Sequence, residues 1–172
     1  VEKLARSGIM TVQHLLPSLQ EKIRWPERKR SIVLVGTRGE LSGSGGKKPL
    51  LAAVPPGKIV FGYELHDSLG LKAGDKLTLM GREFVVSLCH PMRGNKDDIT
   101  AWINLKEAQE LLGRKGQINA IQALECKCAF ANLAKVREEI QRTLPDTQLI
   151  ERGSEALARA DARQSVEKEA KD

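Results

Sequence analysis

The chain has 172 residues, 41% of them apolar, which is enough for one domain with a genuine core. Its formal charge of +6 comes from 28 basic and 22 acidic residues interleaved along most of the sequence, which argues against the continuous basic surface of a nucleic-acid binder. The six aromatic residues (Trp25, Tyr63, Phe61, Phe84, Trp102, Phe130) leave few stacking platforms for single strands, and no run approaches the ~18 apolar residues that span a bilayer. No charged-then-apolar leader opens the chain, so the segment is expected to be soluble.

In chain order, "VEKLARSGIMTVQHLL" (1–16) reads as a helix. Leu4, Val12, Leu15, Leu16, Leu19 and Ile23 recur at near-helical spacing, and Pro17 would restart the helix where its missing N–H is harmless. "KIRWPERKR" (22–30) is the one dense basic cluster; Glu27 interrupts it, which favours a solvated loop over a phosphate-binding patch. "SIVLVG" (31–36) is a β-branched run that predicts a buried strand. "TRGELSGSGGKKP" (37–49) has the glycines of a phosphate cradle, but Leu41 and Lys48 stand where a nucleotide-binding loop has its first glycine and its Ser or Thr, so it reads as a flexible loop.

Residues 58–61 predict a strand and "YELHDSLG" (63–70) a short helix ended by Gly70. Residues 76–80 and 83–89 predict a hairpin turning at Gly81 and Arg82, entered through the Gly74–Asp75 turn of "LKAGDKL" (71–77). After the loop "HPMRGNKDD" (90–98), residues 99–103 read as a strand. Asn104 with Glu107 forms a capping box for a helix closed by Gly113. Alternation in 117–130 puts Ile118, Ala120, Leu124, Cys126 and Cys128 on one strand face. Leu133, Val136, Ile140 and Leu144 then mark a helix ended by Pro145, before a strand at "TQLIE" (147–151), the whole forming a β-α-β crossover. Ser154 can cap a last helix carrying Leu157, Ala158, Ala162 and Val166.

Together these elements predict an α+β fold. A β-rich middle lobe (49–104) is set into an α/β lobe (1–48 and 105–172) whose terminal helices have thin, alanine-rich apolar faces, as if they continued into something absent and returned to one surface.

The stretches "GYELHDSLGLKAGDKLTLMGREFVVSLC" (62–89) and "DDITAWINLKEAQELLGRKGQINAIQ" (97–122) resemble the extracytoplasmic domain of MacB/FtsX-type ABC transporter permeases, the group that includes LolC-like subunits. The match runs in order over about residues 57–125: a glycine-led short helix, a pattern of the form "LGLK.GD.L.L.G..F.V", an aspartate pair before a strand, and "L..AQ.LLG..G.I..I". The resemblance implies a non-catalytic domain between two membrane helices, outside the membrane. It also implies pairing with a second permease subunit and a cytoplasmic ATPase, and coupling of ATP-driven movement to export, lipoprotein release or activation of a partner. An extracytoplasmic substrate or adaptor is a further implied partner, and nucleic acid is not one.

"SLCH" and "ECKCAF" stand outside that pattern. Cys89, His90, Cys126 and Cys128 are four soft-metal ligand types in two pairs, although C-x-C alone lacks the spacing of a zinc finger. Buried free thiols are a second reading. A disulfide is a third, with Cys89 the better-placed partner, because Cys126 and Cys128 on one strand point the same way. A free-standing metal- or redox-sensing domain is therefore the alternative function. Catalysis is not expected: Asp97 and Asp98 read as a turn pair, and Ser68, Ser87, His14, His66 and His90 fit no nucleophile-elbow or metalloprotease pattern. No cofactor is expected.

Overall fold

The computed structural model describes residues 12–39, 41–42, 53–125 and 133–149. Two compact units divide the chain, Val1–Ala131 and Asn132–Asp172. The first holds strands β1 (Val12–Trp25), β2 (Arg30–Thr37), β3 (Leu41–Ser42), β4 (Lys58–Phe61), β5 (Lys76–Leu79), β6 (Arg82–Cys89), β7 (Thr100–Asn104) and β8 (Ala120–Glu125). Two short helices accompany them, α1 (Tyr63–Leu69) and α2 (Leu105–Leu111). The second unit contains α3 (Leu133–Thr143). The fold is α+β.

All eight strands form one mixed sheet in the order β3-β1-β2-β7-β4-β6-β5, with β8 also on β1. β2 runs parallel to β7 and β4 parallel to β6; the other pairings are antiparallel. Strands from residues 58–104 and strands from the flanking segments thus share one sheet.

Cross-strand register builds the core on one face of that sheet. Ile23 stands opposite Ile32, Leu34 opposite Ala101, Ile59 opposite both Ile103 and Val86, and Leu77 opposite Phe84. These side chains are buried together with Leu65 of α1 and Ala108 of α2. Burying each of the larger ones contributes about 1.5–3 kcal/mol. α2 lies close on β2 because Gly36 has no side chain: a Cβ there would collide with the Cβ of Ala108. Trp25 stacks on Phe61 with ring centroids 5.8 Å apart, and its indole N–H donates to the Thr78 carbonyl at 2.9 Å.

The expected N-terminal helix is corrected over its described part: residues 12–25 are one 14-residue strand. Leu15, Leu19 and Ile23 are spaced by four, a spacing that puts side chains on one face of a helix and equally on one face of a strand. Trp25, two residues beyond Ile23 and fully buried, follows only the strand period. Pro17 is tolerated because of where its nitrogen points. The Ser18 carbonyl accepts from Asn119 on the β8 side, so the Pro17 nitrogen faces the opposite edge, where the chain is passing from β2 (Ser18 opposite Thr37) to β3 (Leu15 opposite Leu41). Asn119 extends the β8 edge by one side chain, its amide accepting from the Gln20 N–H at 2.7 Å and donating to the Gln20 carbonyl at 2.6 Å.

A second correction falls after α3. Residues 147–149 are irregular, with the Thr147 N–H donating to the Leu144 carbonyl, so the described part of "TQLIE" is not a strand and the expected β-α-β unit has no returning strand among the described residues. The "SEALARADARQ" helix, most of the 37–49 loop and the pairing of Leu4 with Val166 lie outside the described residues.

Candidate functional site

The residues that carry the family resemblance gather at the two ends of β6. At the Cys89 end, α1 begins at Gly62, whose N–H donates to the Thr100 carbonyl at 2.8 Å. A Cβ on Gly62 would sit inside the van der Waals shell of the Asp97 carbonyl, so only glycine lets α1 approach the 90–99 loop. Gly70 ends α1 in the left-handed region at φ 63°, and the Leu71 N–H then returns to the His66 carbonyl at 2.9 Å.

The 90–99 loop is built on the aspartate pair. Asp98 is only 4% exposed, and its two carboxylate oxygens accept from the backbone N–H groups of Arg93 (2.9 Å) and Gly94 (2.7 Å). Asp97 pairs with the Arg93 guanidinium at 3.0 Å, and Asn95 caps the short 3-10 turn Lys96–Ile99 by accepting from the Asp97 N–H. The His90 ring stands edge-on to Trp102 at 5.3 Å, and its Nδ1 accepts from Arg93 at 3.4 Å. Burial, with the Arg93 charge beside it, lowers the His90 pKa from its ordinary value, so the imidazole is neutral at pH 7. His66 Nε2 donates to the His90 carbonyl at 2.9 Å. Leu88, Met92 and Ile99, in and beside this loop, are 49%, 65% and 40% exposed, the largest apolar side chains left in water among the described residues.

At the Arg82 end the β5–β6 hairpin turns at Met80 (φ 50°) and Gly81 (φ 79°), with Leu79 opposite Arg82. This is a two-residue turn of the primed type, one residue earlier than the expected Gly81–Arg82 turn. Glu27, from the 3-10 turn Pro26–Arg28 between β1 and β2, accepts from the N–H groups of Gly81 (2.7 Å) and Met80 (3.2 Å). The Gly81 N–H is the main cause of its lowered pKa. Arg82 lies 6.0 Å from the Phe84 ring centroid and forks between Glu107 at 2.8 Å and Glu110 at 2.9 Å. Glu110 is held below the ordinary carboxylate range by its hydrogen bond to Arg82.

Glu107 corrects the capping-box expectation. Asn104 does cap α2, accepting from the Lys106 N–H at 3.0 Å, but Glu107 does not reach back to Asn104. Its carboxylate is almost fully buried and accepts from the Gly57 N–H at 3.0 Å while pairing with Arg82. Sequence spacing shows which residues a helix end offers; it does not show that Gly57, 50 positions away, will compete for the same carboxylate. Glu27 and Asp98 were legible only as members of a basic cluster and of a turn pair.

Of the candidate metal ligands, Cys89 and His90 are described, whereas Cys126 and Cys128 lie outside the described residues. Cys89 is a free thiol, 3.8 Å from the Leu71 carbonyl; burial and the Asp75 charge raise its pKa, which keeps it protonated. Among the described residues no group of three or more His, Cys, Asp or Glu side chains is placed to hold a metal. The Ser68 hydroxyl donates to the Glu64 carbonyl and accepts from Arg30, and Ser87 donates to the Ile59 carbonyl at 3.2 Å. His14 lies in β1 opposite Ser42. The hydrogen bonds of Ser68, Ser87, His66 and His90 run to backbone carbonyls and to neighbouring arginines, and so help to fix the loops around them. No described helix is long and apolar enough to cross a membrane. No protein-family model and no curated protein matches the chain.

Proposed function

We propose that the chain is the extracytoplasmic domain of a MacB/FtsX-type, LolC-like ABC transporter permease, a non-catalytic element that passes ATP-driven movement to a substrate or partner outside the membrane. The observation that carries this reading is the placement of the shared motif. Gly62, Gly70, Gly81, Asp98 and Ala108 each discharge a packing, turning or backbone-bonding duty in one connected scaffold. A domain that transmits movement needs such stiffness more than it needs an exposed nucleophile. In the complete transporter it would pair with a second permease subunit and a cytoplasmic ATPase, and meet an extracytoplasmic substrate or adaptor.

The coding sequence on both sides of this segment tests the reading. An apolar run of ~20 residues is expected before Val1 and another after Asp172. A start codon and a stop codon directly at those positions would overturn it. The metal- or redox-sensing alternative would then lead, and elemental analysis of the purified chain would decide it.

A further inference from the structure

We propose that the 90–99 loop carries a proton-operated switch, in which a proton taken up from water by His90 displaces the Arg93 guanidinium and makes Asp97 the partner of the imidazole. Arg93 stands between the other two: one guanidinium nitrogen donates to His90 Nδ1 at 3.4 Å and the other pairs with the Asp97 carboxylate at 3.0 Å. A guanidinium has donors only, so this contact requires Nδ1 to be an unprotonated acceptor. The neutral ring therefore carries its proton on Nε2, and the next proton goes to Nδ1. There it sets donor against donor and cation against cation, while making the ring a charged donor for the carboxylate beyond.

Of the two cations that then face each other, the imidazolium is the one held in place. The His90 N–H donates to the Phe61 carbonyl at 2.8 Å, its carbonyl accepts from His66 Nε2 at 2.9 Å, and its ring stands edge-on to Trp102 at 5.3 Å. The Arg93 and Asp97 side chains are 41% and 31% exposed, so a displaced guanidinium passes directly into water. The main chain at residues 93 and 94 stays tied to Asp98, which accepts from both N–H groups. What changes is the pairing of side chains.

The groups that face the ring set the direction of the switch. Arg93 and Asp97 come from its own loop and His66 from α1, while β7 presents Trp102 and β4 the Phe61 carbonyl, neither of which titrates. Burial, then Arg93, lower the His90 pKa from 6.5; Asp97 opposes them and His66 adds to them. The Arg93–Asp97 pair therefore prevails at pH 7 and gives way below pH 6.5. Before the exchange the two charges cancel beside the exposed Leu88, Met92 and Ile99; after it, an unpaired Arg93 next to Met92 gives this apolar surface a cationic rim. Acid thus changes the chemical character of the surface. The switch rests on these contacts and not on the permease reading.

The test follows the 172-residue chain by NMR from about pH 7.5 to about pH 4.5, reading the histidine ring signals and the side-chain Cδ signal of Arg93. The ring signal lost in His90→Gln identifies His90. In the unaltered chain that ring should titrate with a midpoint below 6.5, and the Arg93 signal should move with the same midpoint. In His90→Gln the Arg93 signal should stay flat across the window. Arg93→Ala removes a like charge and should raise the His90 midpoint by about 0.2 to 0.7 pH units, the range an exposed pair gives; Asp97→Asn removes an opposite charge and should lower it. A His90 midpoint at or above 6.5, or an Arg93 signal that does not follow it, would overturn the inference. So would an Arg93 signal that still moves in His90→Gln, or a midpoint left unchanged or lowered by Arg93→Ala. Each of these failures would leave the permease reading to be decided by the flanking sequence.

Discussion

β6 ends in two unlike ways. At Arg82 the chain is fixed by charge: Glu27 and Glu107, one exposed and one buried, both spend their carboxylates on backbone N–H groups of neighbouring segments, and Arg82 bridges the hairpin to α2. At Cys89 the 90–99 loop is also hung on a carboxylate, Asp98, but it closes around a neutral imidazole against Trp102 and leaves Leu88, Met92 and Ile99 in water. The first end is a clamp between distant segments. The second is a local loop whose shape depends on close backbone contact and on a histidine staying uncharged. The two ends should therefore fail under different perturbations.

The largest effect is expected at the Cys89 end, from Gly62→Ala. The added Cβ meets the Asp97 carbonyl, part of a backbone that Asp98 holds in place, so urea denaturation should show a loss of about 3 kcal/mol. A loss below about 1 kcal/mol would mean that the loop moves freely from α1. At the opposite end, Glu107→Ala leaves the Gly57 N–H without its acceptor and Arg82 with one partner instead of two. About 2 kcal/mol is expected by the same measurement, while Glu110→Ala, at the exposed arm of the fork, should barely shift the midpoint. Equal effects of the two would show that burial does not separate them.

Smaller still is Cys89→Ala, which removes one half-buried sulfur and its weak contact to Leu71. About 1 kcal/mol is expected, with no metal lost or gained by elemental analysis. A loss of about 3 kcal/mol or more would point to a cross-link or ligand role for this thiol.

The finest comparison is by pH. His90 has its folded pKa depressed below the ordinary 6.5, so between the two values the unfolded chain binds more protons. Its contribution is complete above about pH 6.5 and is lost as pH falls through the folded value. Glu27 has its folded pKa depressed below the ordinary 4.5; its contribution is present above about 4.5 and is lost on further acidification. Thermal midpoints followed from pH 8 to pH 3 should therefore flatten in the upper window for His90→Gln and in the lower window for Glu27→Gln. The same window for both variants would erase the proposed difference between the ends.

Local signals were legible where one segment decides its own shape. Gly70 closing α1, Asn104 capping α2 and the strand over residues 83–89 depend on neighbours in sequence, and the structure has all three. β1 was not legible, because Leu15, Leu19 and Ile23 satisfy two periods at once and the strand's acceptability at Pro17 depends on where β2 gives way to β3. The carboxylate clamps escaped for a related reason: Glu27 meets Gly81 across 54 residues and Glu107 meets Gly57 across 50, distances over which spacing carries no information. In the candidate metal set, Cys89 and His90 were correctly placed at the end of a strand, with β6 ending at Cys89.

The reading as a permease domain is tested most directly on the full product of the gene, expressed with an affinity tag and fractionated after an alkaline carbonate wash. The account predicts that the product stays in the membrane fraction and, extracted in mild detergent, carries with it a subunit that hydrolyses ATP. A product released by the wash, with no ATPase accompanying it, would contradict the account.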